Sequence, residues 1–237
     1  MLIFLNYKNK MMKLKLPLII VNFKAYEEAM GKNALRLAKF CRDVAKKYKV
    51  NIAIAPQFCD MFRISQKFRD LPIFSQHIDP IEQGKFTGHI SALSVKIAGA
   101  IGSLINHSER KLKLKEIKSC IEIAKKNNLI SVCCAASAKE AEKIAKFNPD
   151  FIAIEPPELI GTGIAVSKAK PELVTKSIKK IQKVNKNIKV LCGAGISSGK
   201  DVEKALELGT CGIIVASAIV KAKNPKKVLK EFALAIK

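Results

Sequence analysis

The chain has 237 residues, 49% of them hydrophobic, enough to bury one large core and about the size at which a single α/β domain is usual. Its formal charge of +23, from 43 Lys and Arg against 20 Asp and Glu, attracts anions, but the lysines are spread over nearly every amphipathic segment and aromatics are only 6% with no Trp. That pattern argues for solvated helix faces and against a nucleic-acid reader, while seven cysteines without a CxxC and the lack of any span-length apolar stretch argue against a secreted or membrane protein.

Residues 1–14 are irregular and lysine-rich, with Met11 and Met12 as possible later starts, and are read as a tail that does not contribute to function; residues 15–237 form the folded domain. From Leu16 a strand-then-helix unit recurs. Leu18 to Asn22 reads as a short buried strand, and Gly31 to Tyr48 carries Leu35, Ala38 and Val44 at helical spacing. Val50 to Ala55 leads into Phe58 to Phe68, Pro72 to Gln76 into Ala92 to Ala98, and Ala100 to Asn106 into Lys113 to Asn127. Leu129 to Cys134 is followed by Ala138 to Phe147, and Phe151 to Glu155 by Pro171 to Val184. Ile188 to Cys192 precedes Gly199 to Leu208, and Gly212 to Val215 precedes Pro225 to Ile236, which makes eight units.

Strands apolar on both faces, each followed by an amphipathic helix, imply a parallel sheet covered by helices. Eight repeats without a change of composition favour a single-domain (β/α)8 barrel over an open doubly wound sheet, though the pattern alone does not prove closure. In such a barrel chemistry belongs to the C-terminal strand ends. Those ends carry Asn22 and Lys24, Gln76 and His77, Asn106 and His107, Glu155, Gly193-Ala-Gly195 and Ala216-Ser217. A carboxylate, an imidazole and a fixed cation are what proton transfer beside a carbonyl requires, and the two small-residue turns after strands seven and eight suit a phosphate. Singly, each signal is also met by an ordinary structural residue; their shared placement on one rim carries the reading.

Two lookalikes fail on spacing. Gly193 to Asp201 resembles a Walker A loop, but five residues separate its outer glycines and Asp201 stands where a Mg-binding hydroxyl belongs. The same stretch is one residue out of step with GxGxxG and no acidic residue follows the next strand. His77, His89 and His107 are too dispersed to suggest a metal cluster.

Asn22-Phe-Lys24, Asn106-His107-Ser-Glu109-Arg110, Glu155-Pro-Pro-Glu-Leu-Ile-Gly161-Thr-Gly163, Gly193-Ala-Gly195 and Val215-Ala216-Ser217, in that order, resemble the triosephosphate isomerase family, and in particular its short archaeal form. The likeness runs from about residue 16 to the end. It implies a TIM barrel and cofactor-free, metal-free interconversion of dihydroxyacetone phosphate and glyceraldehyde 3-phosphate in glycolysis and gluconeogenesis. By resemblance Glu155 is the base, a neutral His107 the electrophile, Lys24 the cation beside the substrate oxygen and Asn22 its polar neighbour. Glu109 matches a buried acid that positions the first of these; Gly161, Gly195, Ala216 and Ser217 match backbone donors to the phosphate; Pro156 to Gly163 matches a lid, in which Glu158 has no proton to move. Ser108-Glu109 after His107 suits a helical turn aiming N–H groups at the imidazole.

The lid reads Pro-Pro-Glu-Leu where longer members carry an aromatic, and the last turn is Ala-Ser where they carry two glycines; both agree with the archaeal form. A cytoplasmic homo-oligomer, a tetramer by analogy with a dimer possible, is the expected state. The competing readings are a sugar-phosphate epimerase, which would want metal ligands at the strand ends, a Schiff-base aldolase, which would want a lysine in place of Glu155, and a polycationic anion or nucleic-acid binder.

Overall fold

The computed structural model describes residues 14–156 and 171–237. Eight parallel strands form one sheet in the order β2-β1-β8-β7-β6-β5-β4-β3. They are β1 (Leu18–Asn22), β2 (Asn51–Ala55), β3 (Phe74–Ser75), β4 (Gly102–Ile105), β5 (Ile130–Ala135), β6 (Phe151–Ile154), β7 (Lys189–Cys192) and β8 (Gly212–Val215). The remaining seam, between β2 and β3, is joined by the parallel bridge Ile54↔Ile73 and by the Ile54 N–H donating to the Pro72 carbonyl at 3.0 Å, which closes the barrel. The third strand, expected over Pro72 to Gln76, is reduced to Phe74–Ser75 because Pro72 has no amide to give the ladder.

Around the strands lie α1 (Lys32–Tyr48), α2 (Phe58–Lys67), α3 (Ala92–Ile97), α4 (Leu114–Lys126), α5 (Ala138–Ala145), α6 (Pro171–Val184), α7 (Gly199–Glu207), α8 (Ser217–Val220) and α9 (Pro225–Ala235). Two short elements escaped the sequence reading, a 3-10 turn at Glu27–Ala29 and α8, both too short to show a hydrophobic period.

Strand side chains alternate between two cores. Leu18 and Ile20, Phe74, Leu104, Val132 and Cys134, Phe151 and Ala153, Leu191 and Ile214 point inward and plug the barrel. Ile19 and Val21, Ile105, Cys133, Ile152 and Ile154, Ile213 and Val215 point outward and meet the buried faces of the helices. Burying each such Ile or Leu stabilises the fold by roughly 1.5–3 kcal/mol before chain entropy is counted. Large and small residues alternate in the plug: Phe74 lies opposite Gly102, where a Cβ would fall 2.4 Å from the phenyl ring. Of the seven cysteines Cys41, Cys120, Cys133, Cys134 and Cys192 are buried free thiols, Cys211 is half-buried and Cys59 is exposed.

Alternation also sets the top of the plug. Two residues beyond the last inward side chain come Asn22 on β1, Gln57 after β2, Gln76 after β3, Glu155 after β6, Gly193 after β7 and Ala216 after β8. Each therefore starts from a position facing the barrel axis at the C-terminal rim. No described helix is long and apolar enough to cross a membrane.

Candidate active site

A cavity of about 250 Å³ opens at this rim, lined by Asn22, Lys24, His107 and Glu155 on one side and by Gly195, Ala216 and Ser217 on the other. The expected residues that fall within the described segments are thus brought to one place, with Glu109 just outside it. Gly161, Glu158 and all of the expected lid after Pro156 lie outside the described residues.

Glu155 leaves β6 with its backbone still in the ladder: its N–H donates to the Ala135 carbonyl at 2.9 Å, and the Gly193 N–H donates to the Ile154 carbonyl at 2.9 Å. Its side chain is 2% exposed, and neither carboxylate oxygen has a hydrogen-bond partner of ordinary geometry among the described residues. Burial therefore pushes the carboxyl above its usual range, a rise that the nearby His107 ring, Cys134 thiol, Ser108 amide and Lys24 ammonium offset only in part. Room for this carboxylate comes from Gly193, where a Cβ would stand 2.5 Å from Glu155 Cγ. The sequence reading gave Gly193 to an anion turn; its absent side chain also makes space for the acid.

His107 stands on the turn after β4, its side chain 12% exposed, with Nε2 3.7 Å from Glu155 Oε1. The Glu109 N–H donates to its Nδ1 at 3.2 Å, and the Arg110 N–H closes a single turn onto the His107 carbonyl at 2.8 Å. A ring nitrogen that accepts a hydrogen bond carries no proton, so in the neutral imidazole the proton resides on Nε2, facing Glu155 and the cavity. The turn expected at Ser108-Glu109 is present, and the amide it aims is that of Glu109.

Glu109 requires a correction. In place of a buried acid positioning Glu155, it is a solvent-facing residue, 56% exposed, whose Oε1 accepts from Lys24 Nζ at 2.6 Å. The turn that points the Glu109 amide inward at the imidazole leaves its side chain on the outer surface of the rim, where the lysine reaches it. What Glu109 orients is the cation, through its carboxylate, and the imidazole, through its amide.

Lys24 adopts the left-handed conformation at φ +48, which costs a non-glycine residue on the order of 1 kcal/mol and must be imposed by its surroundings. Its N–H donates to Asn22 Oδ1 at 3.0 Å. Its carbonyl accepts from Gln57 Nε2 at 2.6 Å and from Gln76 Nε2 at 3.0 Å, while Gln57 Nε2 also donates to Gln76 Oε1 at 3.1 Å. Asn22 and Gln76 were legible as strand-end residues; Gln57 was missed, although its place two residues beyond inward-facing Ala55 would have found it. His77, the other strand-end histidine, has a structural role: it is buried, with Nε2 3.0 Å from Asp79 Oδ1, and Asp79 also receives the Ile90 N–H and the Arg110 guanidinium.

Across the cavity the Gly193–Ser198 segment is tied to α7. Ser197 and Ser198 donate through both N–H and hydroxyl to Asp201 Oδ2 at 2.8–3.0 Å, and Ser198 caps the helix. Within it Gly195 takes φ +69, a conformation natural to glycine. Among the described residues no group of three or more His, Cys, Asp or Glu side chains is arranged to hold a metal ion.

A carboxylate of raised pKa facing an imidazole N–H across a cavity, at the strand C-termini of a closed barrel, places the chain among the (β/α)8 enzymes that work by acid–base chemistry. The family model for triosephosphate isomerase matches residues 17–232. The triosephosphate isomerase of Methanothermus fervidus is 48% identical over 215 residues, covering 91% of this chain and 96% of that one, and that of Methanocaldococcus jannaschii is 44% identical over 214 residues, covering 90% and 97%. A solved triosephosphate isomerase of Bartonella henselae superposes with a TM-score of 0.74 over 91% of this chain and 98% of that one at 18% identity, which speaks to the fold. The chain belongs to the triosephosphate isomerase family, in its short archaeal-type form.

Proposed function

We propose that this chain interconverts dihydroxyacetone phosphate and D-glyceraldehyde 3-phosphate, with Glu155 moving the proton and His107 and Lys24 stabilising the enediolate. The observation that carries the proposal is the buried Glu155 carboxylate, without a hydrogen-bond partner of ordinary geometry among the described residues, facing the Nε2 of a histidine whose Nδ1 is occupied by an amide. A base withheld from solvent and from hydrogen bonds keeps its affinity for a proton, which is what abstraction from carbon needs.

In the forward step Glu155 takes a proton from the hydroxymethyl carbon of the ketone, and the electron pair of that C–H bond becomes the carbon–carbon double bond of the enediolate. His107 Nε2–H donates to the carbonyl oxygen as negative charge develops there, and the Lys24 ammonium, steadied by Glu109, supplies fixed positive charge beside it. His107 gives its Nε2 proton to that oxygen and takes the proton of the neighbouring hydroxyl in exchange, while Glu155 returns its proton to the carbon that bore the ketone, giving the aldehyde with both side chains restored. Every proton is carried by a protein group, so no metal or cofactor is called for.

The Gly195 and Ala216-Ser217 turns, opposite Glu155, take the phosphate through backbone N–H groups, with Asn22 beside Lys24 completing the oxygen site. Gly161 and the 156–163 segment belong to the same proposal as phosphate donor and lid. The high positive charge serves to draw a doubly charged anion to the protein. Action in glycolysis and gluconeogenesis as a cytoplasmic homo-oligomer, with residues 1–14 taking no part, belongs to the same proposal. A coupled assay of triose phosphate turnover, run with and without EDTA, tests the proposal: turnover indifferent to the chelator is expected, and either no turnover or turnover abolished by EDTA contradicts it.

A further inference from the structure

We propose that Glu140, at the third position of α5, is a positioning residue that fixes the His107 turn through Asn106 and Lys111; the inference rests on the isomerase reading above. Asn106, the residue before His107, is fully buried and left-handed at φ +61, a conformation that asparagine tolerates but that neighbours must still hold. Its Oδ1 accepts the Leu112 N–H at 2.9 Å, so the segment 106–112 closes on itself with His107 inside the ring. Its Nδ2 donates to the Cys134 carbonyl at 2.9 Å and to Glu140 Oε1 at 3.0 Å.

Glu140 thus grips the turn at two points, because the same Oε1 accepts from Lys111 Nζ at 2.7 Å. Its other oxygen takes the Ala136 N–H at 2.7 Å, and its own N–H donates to the Ser137 hydroxyl at 3.1 Å, so the carboxylate is anchored to the start of α5 while it reaches across to β4. Burial alone would raise this carboxyl; the Lys111, Ala136 and Asn106 bonds outweigh it and hold the group below its usual range, hence charged at neutral pH. A glutamate at this position ordinarily turns back to its own helix cap. Here the carboxylate joins two strand-end loops, Oε1 holding the one that carries the imidazole and Oε2 the one that follows β5, where the Cys134 thiol lies against Glu155. The Nε2-to-carboxylate separation of 3.7 Å is set through this bridge.

The alternative is that Glu140 merely caps α5, and Ser137→Ala separates the two roles because it weakens the cap without touching Asn106. With three histidines in the chain, the ¹⁵N imidazole resonances of His107 can be assigned by comparison with His107→Gln. Glu140→Ala is expected to lower kcat by about thirtyfold with KM changed by less than about threefold, since a shifted electrophile is felt mostly in the transition state. It is also expected to move the His107 resonances away from a single Nε2–H tautomer toward an average of the two. Glu140→Gln, which keeps an acceptor for Asn106, should recover most of the rate, and Ser137→Ala should lower Tm while leaving kcat and the imidazole spectrum as in the wild type. Should Glu140→Ala not fold, Asn106→Asp, which sets like charge against Glu140, carries the same two expectations. Wild-type kcat and wild-type His107 resonances in the disrupted variant, or an equal loss of kcat in Ser137→Ala, would overturn the inference. A wild-type protein without isomerase activity would defeat the functional reading alone, because the imidazole spectrum still decides whether Glu140 positions the turn.

Discussion

The two sides of the barrel rim are built on opposite principles. On the β1–β5 side the site is held by hydrogen bonds: Asn22, Gln57 and Gln76 hold the Lys24 backbone, while Asn106, Glu140 and the Glu109 amide hold His107. On the β6–β8 side the loops present small residues, Gly193, Ala194, Gly195, Ala216 and Ser217, around one carboxylate that has no hydrogen-bond partner of ordinary geometry among the described residues. Two glutamates make the contrast sharp, with half-buried Glu140 held below its ordinary pKa by its bonds and buried Glu155 lifted above it by desolvation. Groups that must stay still are over-determined, and the group that must accept and release a proton is buried, so that desolvation keeps its basicity up against the neighbours that would lower it.

The largest break comes from moving the buried acid. Glu155→Asp withdraws the carboxylate by one methylene, and steady-state kinetics should show kcat lower by about 10²–10³ with KM within a few-fold of wild type, since misplacement on the order of 1 Å costs about 10²-fold. Unchanged turnover would end the assignment. A smaller effect follows from filling the space on the open side: Gly193→Ala places a methyl against Glu155 Cγ and should lower kcat by about tenfold and stability by roughly 1–3 kcal/mol, read from kinetics and denaturant melts.

On the bonded side, Gln57→Ala removes one of two donors to the Lys24 carbonyl while Gln76 remains. Loss of a hydrogen bond worth about 1 kcal/mol should raise KM by about fivefold and leave kcat nearly intact. The smallest effect has the opposite sign. A carboxyl whose folded pKa is raised binds its proton more tightly folded than unfolded, so it costs stability as pH rises past the unfolded carboxylate pKa and toward the folded one. Glu155→Gln should therefore raise Tm at pH 7 by a few degrees, a gain that disappears below the ordinary carboxylate range of about 4. Glu140 has the reverse dependence: its depressed pKa contributes stability above the unfolded value that is lost as pH falls through the folded one.

Much of this was legible in the residues. Eight apolar runs with helices between them implied the barrel, because strands buried on both faces carry no polar alternation to hide. Glu155, His107 and Lys24 were found as strand-end residues, since only there does a polar side chain follow directly on a buried run. Gln57 and Glu140 were not found: one follows a proline, the other stands on a helix whose charged pattern matches every other surface helix of this lysine-rich chain, and both act through contacts distant in sequence. The exposure of Glu109 was hidden for a related reason, because whether a turn residue faces in or out depends on the φ value of Asn106 two positions before its neighbour. Alternation carried past Pro56 places Gln57 on the inner rim, whereas the pairings of Glu140 and the exposure of Glu109 are decided in three dimensions and leave no record in periodicity.

The central claim is that the buried Glu155 moves the proton. Incubating dihydroxyacetone phosphate with the protein in D₂O and following the mixture by proton NMR tests it most directly. The wild type should form glyceraldehyde 3-phosphate carrying deuterium at C2, and Glu155→Gln should bind the ketone yet neither form the aldehyde nor exchange the C1 protons. Continued exchange in Glu155→Gln at the wild-type rate would show that another group takes the proton and would contradict the account.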